Sequence, residues 1–248
     1  ENQSPSVDSV SISPNTGVLS DSELVCLAAV SDPDGESLSA SYEWFVSGTL
    51  IGANATIQLD NSLVSPNDSV ECVATVIDGL GASASESSSV TIENQSPSVD
   101  SVSISPNTGV LNDSELICLA AVSDPDGESV IASYEWFVSG TLIGANATIQ
   151  LDNSLVSPND SVECVATVTD GLGASASDSS AVTIDNRAPS VDSVSISPNI
   201  GVLNDSELIC LAAVSDPDGE SVSASYEWFV SGASIGANAT IQLDNSLV

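Results

Sequence analysis

The feature that most constrains this chain is that it repeats itself. Asn2, Asn94 and Asn186 each open an Asn-x-x-Pro segment (Asn2-Gln-Ser-Pro5, Asn94-Gln-Ser-Pro97, Asn186-Arg-Ala-Pro189), and they lie 92 residues apart. A fixed period of this length overrides any domain count taken from total length, because every copy has to fold in the same way. The expected boundaries are 1–92, 93–184 and 185–248, with the third copy stopping at Val248, the counterpart of Val64. The first two copies differ at only seven positions: 20/112, 25/117, 38/130, 39/131, 77/169, 86/178 and 89/181. Of these, only Ser39 against Ile131 and Ile77 against Thr169 clearly change polarity. Copies this alike are expected to repeat one physical property rather than carry separate specialised active sites. Because the last copy is cut short, the chain is expected to be a window on a longer polypeptide whose targeting and anchoring segments lie elsewhere.

Within a copy the apolar residues alternate in short runs. Ser6 to Ser13 reads as a first strand, with Val10 and Ile12 on one face. Leu24 to Val30 is a second, with Leu24, Cys26, Ala28 and Val30 inward, and Ser39 to Val46 a third, with Tyr42 and Trp44 inward. Edge strands follow around Leu50 and Ile51 and at Thr56 to Leu59; Val70 to Ile77 and Ser87 to Ile92 close the copy. Pro14-Asn15-Thr16-Gly17, Asp32-Pro33-Asp34-Gly35, Ser47-Gly48, Ser65-Pro66-Asn67-Asp68 and Asp78-Gly79-Leu80-Gly81 are the intervening turns. About seven short strands with this spacing predict an all-β sandwich. No segment keeps helical apolar spacing over three turns.

Composition bounds the function. There are 35 acidic residues against a single arginine, Arg187, with no lysine or histidine, for a formal charge of −34. Nucleic-acid binding needs cationic side chains to neutralise phosphate, and attraction to anionic lipid needs them too, so neither partner is expected. Such a polyanion repels itself when compact, which favours a saline medium or dedicated cation sites. The charge does not signal disorder, since 42% of residues are hydrophobic and many alternate in strands. No run of about 18 apolar residues offers a membrane span, and no signal peptide is evident. Without histidine, lysine or a spare thiol in a complete copy, the usual general bases and nucleophiles are missing, so an enzyme is not expected. Five cysteines point to an oxidising compartment. Zinc is disfavoured because no CxxC spacing and no histidine accompany them.

The residues Val30-Ser-Asp32-Pro-Asp34-Gly35, Tyr42-Glu-Trp44 and Val76-Ile-Asp78-Gly79-Leu-Gly81, together with Cys26 and Cys72 on separate strands around Trp44, carry a resemblance. Each copy resembles the immunoglobulin-like, PKD-like and cadherin-like modules found in tandem on microbial extracellular surface proteins. One departure stands out: true immunoglobulin domains place a tyrosine two residues before the second cysteine, where this chain has Val70. The resemblance implies tandem immunoglobulin-like sandwiches with one intradomain disulfide per copy, Cys26 to Cys72 and Cys118 to Cys164. Cys210 is left with a partner beyond the chain end. A bridge closing about 46 residues is worth roughly 4 kcal/mol in the chain-entropy model.

The resemblance also directs attention to acids at one end of each module. The loop after the second strand, the loop after the sixth and the incoming linker hold Asp32, Asp34, Asp78 and Glu1-Asn2 in the first copy. The second copy offers Asp124, Asp126, Asp170, Glu93 and Asn94, and the third Asp216, Asp218, Asp185 and Asn186, with Asp60 and Asp68 on the facing end of the preceding copy. Carboxylate and amide oxygens gathered at a junction suit Ca²⁺, which takes six to eight oxygen ligands. The plain alternative is ordinary turn chemistry on solvated acids.

Two further features remain. Asn-x-Ser/Thr sequons occur at Asn54, Asn67, Asn112, Asn146, Asn159, Asn204 and Asn238, each a candidate glycosylation site in a host that glycosylates. The outward positions Val25, Leu27, Ala29, Val73 and Ile77 are apolar, which predicts cover either by the copy's own loops or by a neighbouring copy or chain. The sequence therefore leads to an extracellular structural repeat of a filament, fibre or surface stalk that associates with copies of itself. The competing expectation is an adhesin or carbohydrate-binding module, for which Phe45, Phe137 and Phe229 are the available aromatics.

Overall fold

The computed structural model describes residues 2–245, and among them every regular element is a strand. In the first copy these are β1 (Ser6–Ser13), β2 (Glu23–Ser31), β3 (Ala40–Val46), β4 (Thr49–Gly52), β5 (Thr56–Gln58), β6 (Ser69–Ile77) and β7 (Ser83–Thr91). They form two antiparallel sheets, β1-β2-β5 and β4-β3-β6-β7. The side-chain period of two lets each strand give one row to the interior. Along β6 that row is Val70, Cys72, Ala74 and Val76, all fully buried, while Ser69, Glu71 and Ile77 face out. Opposite them β2 contributes Leu24 and Cys26, and Trp44 of β3 fills the space between. Cys26 and Cys72 are bonded across the two sheets with their Cα atoms 6.4 Å apart. The fold is thus a disulfide-bearing β-sandwich.

Trp44 has no exposed surface, and its indole N–H donates to the carbonyl of Asn54 at 2.8 Å, so burial leaves no polar atom unmet. Gly52 is what lets β4 lie this close. A Cβ there would sit 2.9 Å from Ile57 Cδ1 and 3.5 Å from Trp44 Cδ1.

The second copy repeats the plan as β8 (Ser98–Ser105), β9 (Glu115–Ser123), β10 (Ala132–Val138), β11 (Thr141–Gly144), β12 (Thr148–Gln150), β13 (Ser161–Thr169) and β14 (Ser175–Thr183). Its sheets are β12-β9-β8 and β11-β10-β13-β14, and Cys118 is bonded to Cys164. In the third copy the described strands are β15 (Ser190–Ser197), β16 (Glu207–Ser215), β17 (Trp228–Val230), β18 (Ala233–Gly236) and β19 (Thr240–Gln242). β17 spans three residues where β3 and β10 span seven. The cause is pairing: residues Ala40 to Glu43 of β3 bond only to β6, and the described part of the third copy has no strand of that kind. Cys210 is correspondingly a free, half-buried thiol, beside a cavity of about 450 Å³ lined by Val191, Val194, Ala212, Val214 and Tyr226.

Compactness groups the residues in two units. One is Glu1–Val102 with Ala120–Ser133 and Ala166–Asp178; the other is Ser103–Leu119, Tyr134–Val165 and Ser179–Val248.

The seventh strand begins at Ser83, four residues before the sequence-based expectation of Ser87. Ser83-Ala84-Ser85-Glu86 carries almost no apolar signal, but it pairs residue for residue with β6 from Ile77↔Ser83 to Ser69↔Thr91. The neighbouring strand extends it. Of the outward apolar positions, Val25 and Val73 are partly buried, while Leu27, Ala29 and Ile77 are exposed, Leu27 at 58% and Ile77 at 60%.

Candidate metal centre and the copy-to-copy junctions

The acids expected to act together separate into two sets with different partners. In the loop after β2, Asp32 Oδ1 accepts the Asp34 amide at 2.7 Å and Asp32 O accepts the Gly35 amide at 3.0 Å, which closes the turn. In the loop after β6, Asp78 Oδ1 accepts the amides of Leu80 (2.9 Å) and Ala82 (2.8 Å). Its Oδ2 accepts Asn2 Nδ2 at 2.8 Å. The hydrogen bond from Asn2 holds the Asp78 carboxyl below the usual carboxylate range; burial opposes this, and the Ala82 and Leu80 amides reinforce it. Asp170 is held down in the same way, first by Asn94 at 2.8 Å.

The two loops bring Asp32, Glu36 and Asp78 together, with one carboxylate oxygen from each within 4.8 Å of the others. Asp124, Glu128 and Asp170 form the same group in the second copy. Asp78 and Asp170 are only 6% and 8% exposed. Several oxygens around them are buried and have no hydrogen-bond partner: Asp32 Oδ2 in the first copy, and Asp124 Oδ2, Glu128 Oε2 and Asn94 Oδ1 in the second. Burying an acceptor without a partner is costly. A set of unsatisfied carboxylate and amide oxygens with no basic side chain is the donor chemistry of a hard divalent cation. Glu36 and Glu128 were absent from the sequence-derived set. The only signal for them is a glutamate directly after Asp-Pro-Asp-Gly.

The other acids are joined to linkers and turns. Asp34 accepts the Gln3 amide (2.7 Å) and Gln3 Nε2 (3.0 Å), and the backbone bond is the first cause of its lowered pKa. Asp126 accepts the Gln95 amide on Oδ2 (2.7 Å), with Gln95 Nε2 (3.1 Å) and Ser20 Oγ (2.9 Å) on Oδ1. Glu93 Oε1 accepts the Gly17 amide at 2.8 Å. Asp218 takes Arg187, which lowers its pKa first through the Arg187 amide, and Asp216 Oδ1 accepts the Asp218 amide at 2.7 Å. Asp185 donates its amide to Val110 O, and Asn186 is exposed. Asp60 and Asp68 cap their own turns at Ser62 and Ser65, and Glu1 lies outside the described residues.

The junctions are close. Glu93 N donates to Val18 O and Asp185 N to Val110 O, each at 2.7 Å. Asn61 Nδ2 donates to Pro125 O at 2.9 Å. Gly127 (φ +80°) and Gly219 (φ +82°) lie against the asparagine side chains of the preceding copy; an added Cβ would stand 3.0 Å from Asn61 Nδ2 and 2.7 Å from Asn153 Nδ2 respectively.

Six of the sequon asparagines, Asn54, Asn67, Asn146, Asn159, Asn204 and Asn238, are exposed. Asn112 is corrected out of that set: it is fully buried, and its Nδ2 donates to Asp218 O at 3.1 Å.

No family model matches the chain, and no curated protein matches it in sequence. Solved structures similar to it include three N-terminal domains of the highly immunogenic outer capsid protein (Hoc) of bacteriophage RB49. That match has 17% identity and TM-score 0.30, covering 95% of this chain and 80% of that one. A Ca²⁺-stabilised, ice-binding adhesin of an Antarctic bacterium matches at 13% identity and TM-score 0.34, over 98% of this chain and 66% of that one. Carbohydrate-binding modules of the β-sandwich superfamily match at 13% and 0.31, over 100% and 88%. These are likenesses of fold, and none assigns a role to a residue of this chain.

Proposed function

We propose that the chain is a non-catalytic segment of an extracellular filament, fibre or surface stalk. In this reading residues 1–92, 93–184 and 185–248 are successive modules, and the molecule works by docking them in series. The observation that carries it is the recurrence of the junction: Ser20 in a turn of the first copy bonds Asp126 of the second, and Asn112 in the same turn of the second bonds Asp218 of the third. Copies free of one another would make neither. The buried disulfides support an oxidising, extracellular setting, and no described helix is long and apolar enough to cross a membrane.

Asp32, Glu36 and Asp78, and Asp124, Glu128 and Asp170 with Asn94, are the residues that would hold Ca²⁺. The ion would satisfy the buried oxygens and offset part of the −34 charge. Leu27 and its counterparts Leu119 and Leu211, 56–58% exposed, support lateral contact between chains. Electron microscopy of native material tests the main reading: long thin fibres are expected, and compact single particles would overturn it. A second reading, a carbohydrate-binding surface, is favoured by the shallow hollow that gathers Phe45, Ser69, Glu71 and Ser89. Glycan-array binding abolished by Phe45→Ala would select it.

A further inference from the structure

The two junctions share their backbone bonds and differ in their side chains. At the first, Ser20 stands in the turn and Gln95 in the linker, and both donate to Asp126. At the second, Asn112 replaces the serine and Arg187, the one basic residue of the chain, replaces the glutamine. Arg187 Nε donates to Asp218 Oδ1 (2.7 Å), its amide to Asp218 Oδ2 (2.6 Å), and NH1 to Asp113 Oδ2 (3.1 Å). Arg187 NH2 reaches Asn112 Oδ1 (2.5 Å) and Pro217 O (3.1 Å). Asn112 Nδ2 then turns to Asp218 O.

We propose that the residue following Leu19, Leu111 or Leu203 and the third linker residue are a matched pair, Ser with Gln or Asn with Arg, which fixes which module docks on which turn. Reach gives the reason. Asn112 has no exposed surface, and its Oδ1 is met by Arg187 NH2 while Nε of the same fork holds Asp218; glutamine has a single side-chain nitrogen, and placed on the aspartate as Gln95 Nε2 is, it would leave that oxygen buried and unmet. Serine has no such demand, because its hydroxyl donates to the carboxylate directly. The exposed turn Leu203-Asn204-Asp205 is of the asparagine kind, so the partner it fits is a module of this type with arginine in its linker.

The pairing rests on the reading of the copies as docked modules, and hydrogen exchange of the full chain separates the two. The Ser114 and Ser22 amides, which close the turns holding Asn112 and Ser20, report the second and first junctions, and Ser206 closes the same turn where Leu203 and Asn204 are exposed. Arg187→Gln is expected to speed exchange at Ser114 by about tenfold or more, the factor for an unmet buried acceptor, while Ser22 is unchanged. Adding Asn112→Ser to Arg187→Gln is expected to return Ser114 to the protection of Ser22. An Arg187→Gln variant that exchanges like the parent would overturn the pairing, as would a double variant no better than the single. Ser22 and Ser114 exchanging as fast as Ser206 in the parent would instead overturn docking itself.

Discussion

Asp78 shows how a single side chain is committed at this end of the sandwich. Its oxygens accept from Asn2, Leu80 and Ala82, and a third of a carboxylate cluster is built on it. Asp78→Asn turns an acceptor into a donor facing the Asn2 amide. It is expected to lower the melting temperature and to abolish any rise produced by millimolar calcium, as differential scanning calorimetry would show. Glu36→Gln is expected to weaken the calcium response and leave the calcium-free melt nearly unchanged. The pH dependence has a definite sign. Asp34, Asp78, Asp170 and Asp218 all have folded pKa values below the ordinary one. Their contribution is fully present above the unfolded value of about 3.9 and is lost as pH falls through the depressed folded values. The melting temperature is therefore expected to hold level above about pH 5 and to fall with acid below about pH 4.

At the scale of elements, strand identity was legible wherever apolar residues alternate. β1 runs from Ser6 to Ser13 as expected, and β6 begins one residue earlier than expected. β7 was not, because Ser83 to Glu86 become a strand only by pairing with β6. The site was half legible. Aspartates in turns announce themselves, but which of them faces the linker depends on the path of Gln3 and Gln95, which no local pattern records. Asn112 shows the converse: its sequon is complete, yet a neighbouring copy buries it. Packing within elements can be tested at Gly52. Gly52→Ala forces the end of the Ile57 side chain to move and is expected to cost about 1–3 kcal/mol by denaturant unfolding.

For the whole molecule the charge of −34 sets the response to ions. Repulsion among exposed carboxylates is screened by salt, so stability is expected to rise between 10 mM and 0.5 M sodium chloride as the screening length shrinks from about 30 Å to a few ångströms. Breaking a bridge with Cys26→Ser and Cys72→Ser together is expected to remove roughly 4 kcal/mol. That same bridge limits how far the chain can extend under tension. Tension entering at one linker and leaving at the next meets a sulfur tether between residues 26 and 72, so the 46-residue segment between them stays slack-free even when the sandwich ruptures. Only the remaining half of each 92-residue copy can pay out, about 160 Å of contour length at roughly 3.5 Å per residue. In an optical trap each rupture should release that length under oxidising conditions and about twice as much once a reductant is added. A tether of this kind makes a stretched chain yield in short steps.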